Sequence, residues 1–417
     1  MAFPANYQAL GLKSPLMRAL IIAATAAAMA PSLAASAVVI ARPAVSAAVS
    51  VRGWGTNNDG ELGSGSGTTD FLAPVKVKIP AGVTVTSIRA GCDHSVALTT
   101  TGALLAWGSN TSGQVGDGSF KRRNTPVSVK LPRGTKISAV RAGCADTIAL
   151  TRTGTVLAWG MGGTIGNGQT RNSAVPVPVS LPKGTKVKAI SAGCAHNLAL
   201  TTAGTVYAWG TNEFGQLGDG THKNRHKPVL VKLPAGVTAT SVTAGCSDSF
   251  ALTNDGLFAW GVNAHGQLGT GDLKGHDAPV LIVFLFRGAG PGTITSVFAG
   301  CDDTYALFSK GGVLAWGSDG HGQLGNGGNS TQVKPVGVML PTTIKVKAIS
   351  AGCSNGYALS TAGQVFAWGL GGQGGLGDAS NSDAPVPVAV HDLTTLTVTA
   401  IGAGPAANHA FAIGVSH

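Results

Sequence analysis

Six cysteines occupy one position of a repeating pattern: Cys92, Cys144, Cys194, Cys246, Cys301 and Cys353. An even number of cysteines in an exported chain suggests a disulfide framework. Here, however, their spacing is the repeat period itself, which makes them rotationally equivalent. Equivalent inner-strand positions on adjacent units are expected to lie beyond the Cα separation of about 7 Å that a disulfide tolerates. The expectation is therefore six buried free thiols, acting as small hydrophobes. No CxxC pair is present, so no zinc site and no other metal or cofactor is expected. Two residues beyond each cysteine comes a polar residue: His94, Asp146, His196, Asp248, Asp303 and Asn355. Such a ring could hold a cation near an axis, or each side chain could cap the turn beside its own strand, as Asp, Asn and His commonly do. Capping is the expectation. The chain has no G-x-S-x-G, no H-E-x-x-H and no coherent acid–base set, so no catalytic residues are assigned.

Basic residues gather in two kinds of loop. One kind carries Lys130, Arg133 and Lys136, then Lys183, Lys186 and Lys188, then Lys345 and Lys347; repeat geometry places these on one rim. The other carries Lys121, Arg122 and Arg123, then His222, Lys223, Arg225, His226 and Lys227. An ordinary solvated surface accounts for scattered charge. The sharper reading is an anionic partner: a nucleic acid, a wall polymer or an acidic protein. Aromatic platforms for stacking single-stranded bases are not expected in these loops, so nucleic acid is not favoured. A further candidate is the apolar insertion from Val280 to Gly292, with Phe284, Leu285 and Phe286 at its centre. It is read either as an exposed interaction patch or as a longer buried edge strand.

These positions must be held by repeated elements. The seven tryptophans, Trp54, Trp107, Trp159, Trp209, Trp260, Trp316 and Trp368, are spaced by 53, 52, 50, 51, 56 and 52 residues. A period of about 50 residues built from short strands points to a propeller or solenoid. Within one unit, four segments alternate and carry β-branched residues: Thr86 to Cys92, Ser95 to Thr99, Ala103 to Trp107 and Pro126 to Leu131. Between the second and third, a turn ends in glycine (Gly102, Gly154, Gly204, Gly256, Gly311, Gly363), as a hairpin requires. The fourth segment opens on proline every time, from Pro74 to Pro385, so it is expected at the outer edge, where no ladder donor is needed. The Gly-rich loop between third and fourth segments, as in Asn212 to Gly218, lacks the Gly-Lys-Ser/Thr of a phosphate cradle and reads as a turn packed by its Leu or Val. The result is an all-β, seven-bladed propeller of four-stranded antiparallel blades. The chain opens on a third and fourth strand (Val51 to Gly55, Pro74 to Ile79) and ends on a first and second (about Thr397 to Pro405, Asn408 to Ile413). One blade is thus expected to be built from both termini, with Trp54 and Phe411 as neighbours. In a gapless alignment Pro405 takes the place of Cys92, and Ala407 that of His94.

Lys13 and Arg18 precede an apolar run from Ala19 to Ala30, followed by Ala35-Ser36-Ala37. A basic start, a short apolar core and an A-x-A site read as a secretory signal peptide over 1–37, with a linker over 38–50 and the propeller over 51–417. Cleavage would lower the net charge of +11 by the two basic residues of the leader. Whether the leader is removed or kept as an anchor stays open. Hydrophobic residues make up 44% and charged residues 11%, and the 62 glycines follow no Gly-X-Y period, which excludes collagen.

The pattern A-G-x-x-H-S-x-A-L followed by G-x-V-x-A-W-G-x-N-x-x-G-Q-L-G, recurring from about Val51 to the C-terminus, resembles the regulator of chromosome condensation repeat family. The resemblance implies a seven-bladed propeller. The family's eukaryotic namesake is a nuclear nucleotide-exchange factor that docks on chromatin. Secreted bacterial relatives include a β-lactamase inhibitor that binds protein through one propeller face. The signal peptide fits the secreted bacterial branch. The expected function is a secreted, non-catalytic binding module, monomeric and partnered by a protein or an anionic surface polymer. The alternatives are a protein inhibitor and, by family membership alone, a guanine-nucleotide exchange factor.

Overall fold

In a computed structural model, residues 49–67, 69–283 and 292–416 are described. The leader and most of the linker, and Phe284, Leu285 and Phe286, lie outside these residues. Seven four-stranded antiparallel sheets form the propeller. Blade one consists of Val85–Ala90, His94–Thr99, Leu104–Gly108 and Arg123–Ser128, and this order repeats through blade six. The closing blade joins Leu396–Gly402 and His409–Ser416 to Val49–Gly55 and Phe71–Lys76, as the sequence predicts. Seven residue pairs, from Val49↔Val415 to Gly55↔His409, stitch the two ends of the chain together.

Hydrophobic burial drives this arrangement, and it is located between blades rather than within them. One apolar cluster fills each of the seven interfaces. The cluster between blades one and two, for example, combines Val96, Leu98 and Leu104 with Val140, Ala149 and Trp159. The second strand of a blade, as in His94–Thr99, is buried along its whole length because both its faces meet neighbouring sheets. All seven tryptophans are fully buried. Each lies under the Gly-rich loop of the preceding blade. Trp159 Nε1 donates to the carbonyl of Gln114 at 2.8 Å, and Gly116 between them has φ +75°, with a Cβ there falling 2.5 Å from Trp159 Nε1. Only glycine permits that backbone conformation and that approach. The loop's apolar residue is buried, as expected for Leu62, Val115, Ile165, Leu217, Leu268, Leu324 and Leu376.

Two boundaries differ from expectation. The edge proline does not open the fourth strand; Pro126 is the fourth residue of Arg123–Ser128. It sits where the pairing register with the third strand shifts between Ala106 and Gly108, so the missing N–H coincides with an irregularity in the ladder. The fourth strand of blade four, His276–Leu281, has six residues like its counterparts, so the apolar insertion does not lengthen it.

Candidate functional site

The first strands converge on the propeller axis, and this overturns the reading of the cysteines. At their ends the Cα atoms of adjacent blades come to 4.4–4.5 Å, and three disulfides form: Cys92–Cys144, Cys194–Cys246 and Cys301–Cys353. The error lay in the assumed distance. Near the axis, equivalent positions are as close as paired cysteines elsewhere. Nor are the cysteines fully buried; each is partly exposed.

The closing blade carries a second correction. His409 pairs with Gly55 as His94 pairs with Gly108, so His409, not Ala407, holds the His94 position. Ala407 instead stands in the cysteine ring, accepting the N–H of Cys353 as Cys353 accepts that of Cys301. The chain has two extra residues in this turn, which the gapless alignment hid. They bring the Pro405 carbonyl to 3.7 Å from Cys246 Sγ, across the ring.

The polar residues beyond the cysteines, completed by His409, are all buried. They do not gather into a metal site: among the described residues, no three His, Cys, Asp or Glu side chains are placed to hold a metal ion. Most do not cap their own turn either. They reach the next blade. His94 Nε2 meets Thr147 Oγ1, His196 Nε2 meets Ser249 Oγ and His409 Nε2 meets Ser95 Oγ, each at 2.9 Å. Since each hydroxyl donates its proton to a loop carbonyl of Gln114, Gln216 or Glu61, the imidazole Nε2 is the donor. Asp146 accepts from Asn197 Nδ2 at 2.8 Å. Asn355 is the exception and donates within its own blade to the carbonyl of Leu370. Burial lowers the histidines, His94 and His196 to about 4 and His409 to about 3, with His94 adding to the effect on His409. Neutral imidazoles thus tie the blades together, and no group in this collar is accessible for acid–base work.

Asp248 and Asp303 interrupt the collar. Neither oxygen of either carboxyl has a hydrogen-bond partner, because the facing position in the next blade is Thr304, whose hydroxyl donates to the Gln267 carbonyl, or Gly356. Burial first, then neighbouring carboxylates, holds both well above the carboxylate range. The folded-state pKa of Asp248 exceeds its unfolded value, so the carboxyl costs stability as pH rises from the unfolded towards the folded value, by about 1.4 kcal/mol per pH unit. Asp248→Asn should therefore melt above wild type at pH 8, by a wider margin than at pH 5. Equal margins at the two pH values would show that the carboxyl is solvated or partnered.

The basic residues divide. Antiparallel order places Arg133, Lys136, Lys183, Lys186 and Lys188 at the end of the blades away from the cysteines, and Lys121, Arg122 and Lys223 on the connections at the cysteine end, with Lys227 within the fourth strand of blade three, Arg225–Leu230; all are exposed. Lys130 follows the fourth strand of blade one, its N–H donating to Gly116 and its side chain exposed. Arg123 and Arg225 are not free to bind a partner. They pair with Asp117 at 2.5 Å and Asp219 at 2.7 Å within their own loops, holding both carboxylates below the usual range through those bonds and the Ser119 and Thr221 hydroxyls. The expectation that these loops lack aromatic side chains also fails. Phe120 is 54% exposed immediately before Lys121, and Phe214 is 50% exposed on the equivalent loop of blade three.

The family model described as RCC1-like domain matches residues 50–412. The chain belongs to this RCC1-like family. Its RCC1-like propeller is 31% identical over 345 residues to the ultraviolet-B receptor UVR8 of Arabidopsis thaliana, covering 82% of this chain and 66% of that protein. It is 30% identical over 355 residues to the human E3 ubiquitin-protein ligase HERC2, covering 84% of this chain. This chain therefore spans just under two thirds of the one relative and only 6% of the other. Among solved structures, human WBSCR16 superposes with a TM-score of 0.78 at 23% identity, covering 88% of this chain and 99% of that one. Prp20p of Saccharomyces cerevisiae, described with its binding properties to Gsp1p and histones, gives the same score and identity, with 88% and 92% covered. At that identity the likeness is one of fold. Among the described residues no helix is long and apolar enough to cross a membrane.

Proposed function

We propose that this RCC1-like propeller is an exported, non-catalytic protein-binding module that engages an acidic partner through the face bearing the cysteine ends and Gly-rich loops. The observation that carries the reading is the presence of exposed aromatic and basic side chains on the same connections of that face: Phe120 adjoining Lys121 and Arg122 in sequence, and Phe214 on the connection that carries Lys223, with Leu273, 56% exposed, on the equivalent loop of blade four. Aromatic and arginine side chains are the usual anchors of protein interfaces, and the surrounding positive charge favours an acidic surface. The collar beneath, buried throughout and with its three histidines and Asp146 committed between blades, suits a scaffold better than a reaction centre. Inhibition of an enzyme would be a narrower form of this activity, since it needs only that the bound surface be an active site. Export rests on the leader, with cleavage after Ala37.

The test has two parts. Protein recovered outside the cell should begin at Val38; a full-length cytosolic product removes the export claim. Partners captured from the surface extract by wild-type protein should be lost with Phe120→Ala plus Phe214→Ala and kept with Lys183→Ala plus Lys186→Ala. The reverse pattern would move the interface to the opposite face.

A further inference from the structure

The axial cavity supplies an inference independent of that face. It has a volume of about 360 Å³, within the range of ligand pockets, roughly 300–1,000 Å³. The penultimate residue of each first strand in blades one to six lines it, as Arg89, Arg141, Ser191, Thr243, Phe298 and Ser350. In the closing blade the register puts Gly402 at this position, where a Cβ would fall 2.3 Å from the Ile88 carbonyl. The ring is strongly asymmetric. Two arginines stand side by side on blades one and two, and Phe298, on blade five, stands opposite them across the axis.

The arginines are short of partners. Arg89 Nη1 donates to the Ile88 carbonyl at 2.7 Å and Arg141 Nη1 to the Val140 carbonyl at 2.9 Å, each using one of five N–H groups. Among the described residues no carboxylate forms an ion pair with either, and the cavity lining contains no acidic residue. Burial lowers both guanidinium groups, and Arg89 further lowers Arg141, to about 9. Both side chains are only partly exposed, and half-buried cations of like sign side by side are costly unless something compensates them. Along the walls between the arginines and Phe298, Ser191 Oγ accepts the Ala244 N–H and Ser350 Oγ the Ala403 N–H, so both hydroxyls keep a proton to donate.

We propose that the axial cavity binds a small organic carboxylate, its anionic head on Arg89 and Arg141 and its apolar body against Phe298. The guanidinium pair offers fork-shaped donors matched to a carboxylate, Ser191 adjoins the pair, and Phe298 with Ser350 beside it completes the site.

Calorimetric titration of the full chain with benzoate, acetate, inorganic phosphate and benzylamine tests this. Benzoate should bind with one-to-one stoichiometry and more tightly than acetate, and benzylamine should not bind. Arg89→Gln and Arg141→Gln should each weaken benzoate by about tenfold or more, the loss expected for a hydrogen bond to a charged group, and the double variant should abolish binding. Phe298→Ala should weaken benzoate but leave acetate unchanged. The double variant should melt no lower than wild type, since it removes two uncompensated cations, so lost binding would not reflect lost fold. Absence of saturable benzoate binding, or its survival in the double variant, overturns the proposal. Phosphate binding as tightly as benzoate, with no effect of Phe298→Ala, overturns the choice of ligand class.

Discussion

Unfolded without reductant, the protein should yield almost no titratable thiols, and about six after reduction. Peptide mapping should recover Cys92–Cys144, Cys194–Cys246 and Cys301–Cys353. This pairing has a topological reason. The ring has seven positions, and Ala407 occupies the seventh, so the cysteines form an open row of six. Only one pairing of neighbours in such a row leaves none over. The alternative, Cys144 with Cys194 and Cys246 with Cys301, would strand Cys92 and Cys353. It is close at hand, since Cys246 Sγ lies 3.5 Å from Cys301 Sγ, so the uniqueness comes from counting rather than distance. Each bond spans 52 residues of chain. Constraint of the unfolded chain over a loop of that length corresponds to about 4 kcal/mol, and loss of a native disulfide typically costs about 2–5 kcal/mol. Replacing Cys92 and Cys144 by serine should therefore lower stability by several kcal/mol, read as an earlier denaturant midpoint. Six thiols titrating without reductant would restore the first reading of free cysteines.

The contrast with that first reading shows what a repeat discloses. The period, the four strands per unit, the outer place of the proline strand and the sharing of one blade between the termini all follow from local spacing and alternation. Distances between equivalent residues do not, because they depend on how far each position lies from the axis. The cysteines lie at the inner ends of the first strands, where that distance is short enough for a disulfide. The same limitation hid the collar. His94 and Thr147 are 53 residues apart, and their contact exists only once blades stand side by side. His409 was legible in principle, since it is followed, as His94 is, by two residues and then Ala-h in an alternating strand; a gapless alignment missed the two inserted residues. Arg89 and Arg141 stood in plain view within apolar first strands. Their meaning needs the knowledge that this face of the strand lines the axial cavity.

Closure of the ring is the remaining large effect. Trp54 is fully buried, 6.0 Å from the ring of Tyr357 in blade six at an interplanar angle of 68°, and covered by the blade-six loop, where a Cβ on Gly377 would fall 2.7 Å from it. On the other side of the same blade, Phe411 packs edge-on to Trp107 of blade one at 6.0 Å. The closing blade is therefore wedged between its neighbours, and none of the three disulfides reaches it. Trp54→Ala should cost about 3–5 kcal/mol, as large aromatic truncations in a core do. Trp209→Ala is the matched control, because the indole N–H groups of Trp54 and Trp209 alike lack an acceptor, so the comparison isolates packing from hydrogen bonding. Deleting 49–76 should do more than the loss of an end unit does in an open solenoid, where terminal repeats contact one neighbour only. It strips one of the two strand partners from His409–Ser416 and exposes a strand edge prone to aggregation. Equal melting of Trp54→Ala and wild type, alongside strong destabilisation by Trp209→Ala, would mean that the N-terminal strand is not docked in solution and that the propeller is held by six blades.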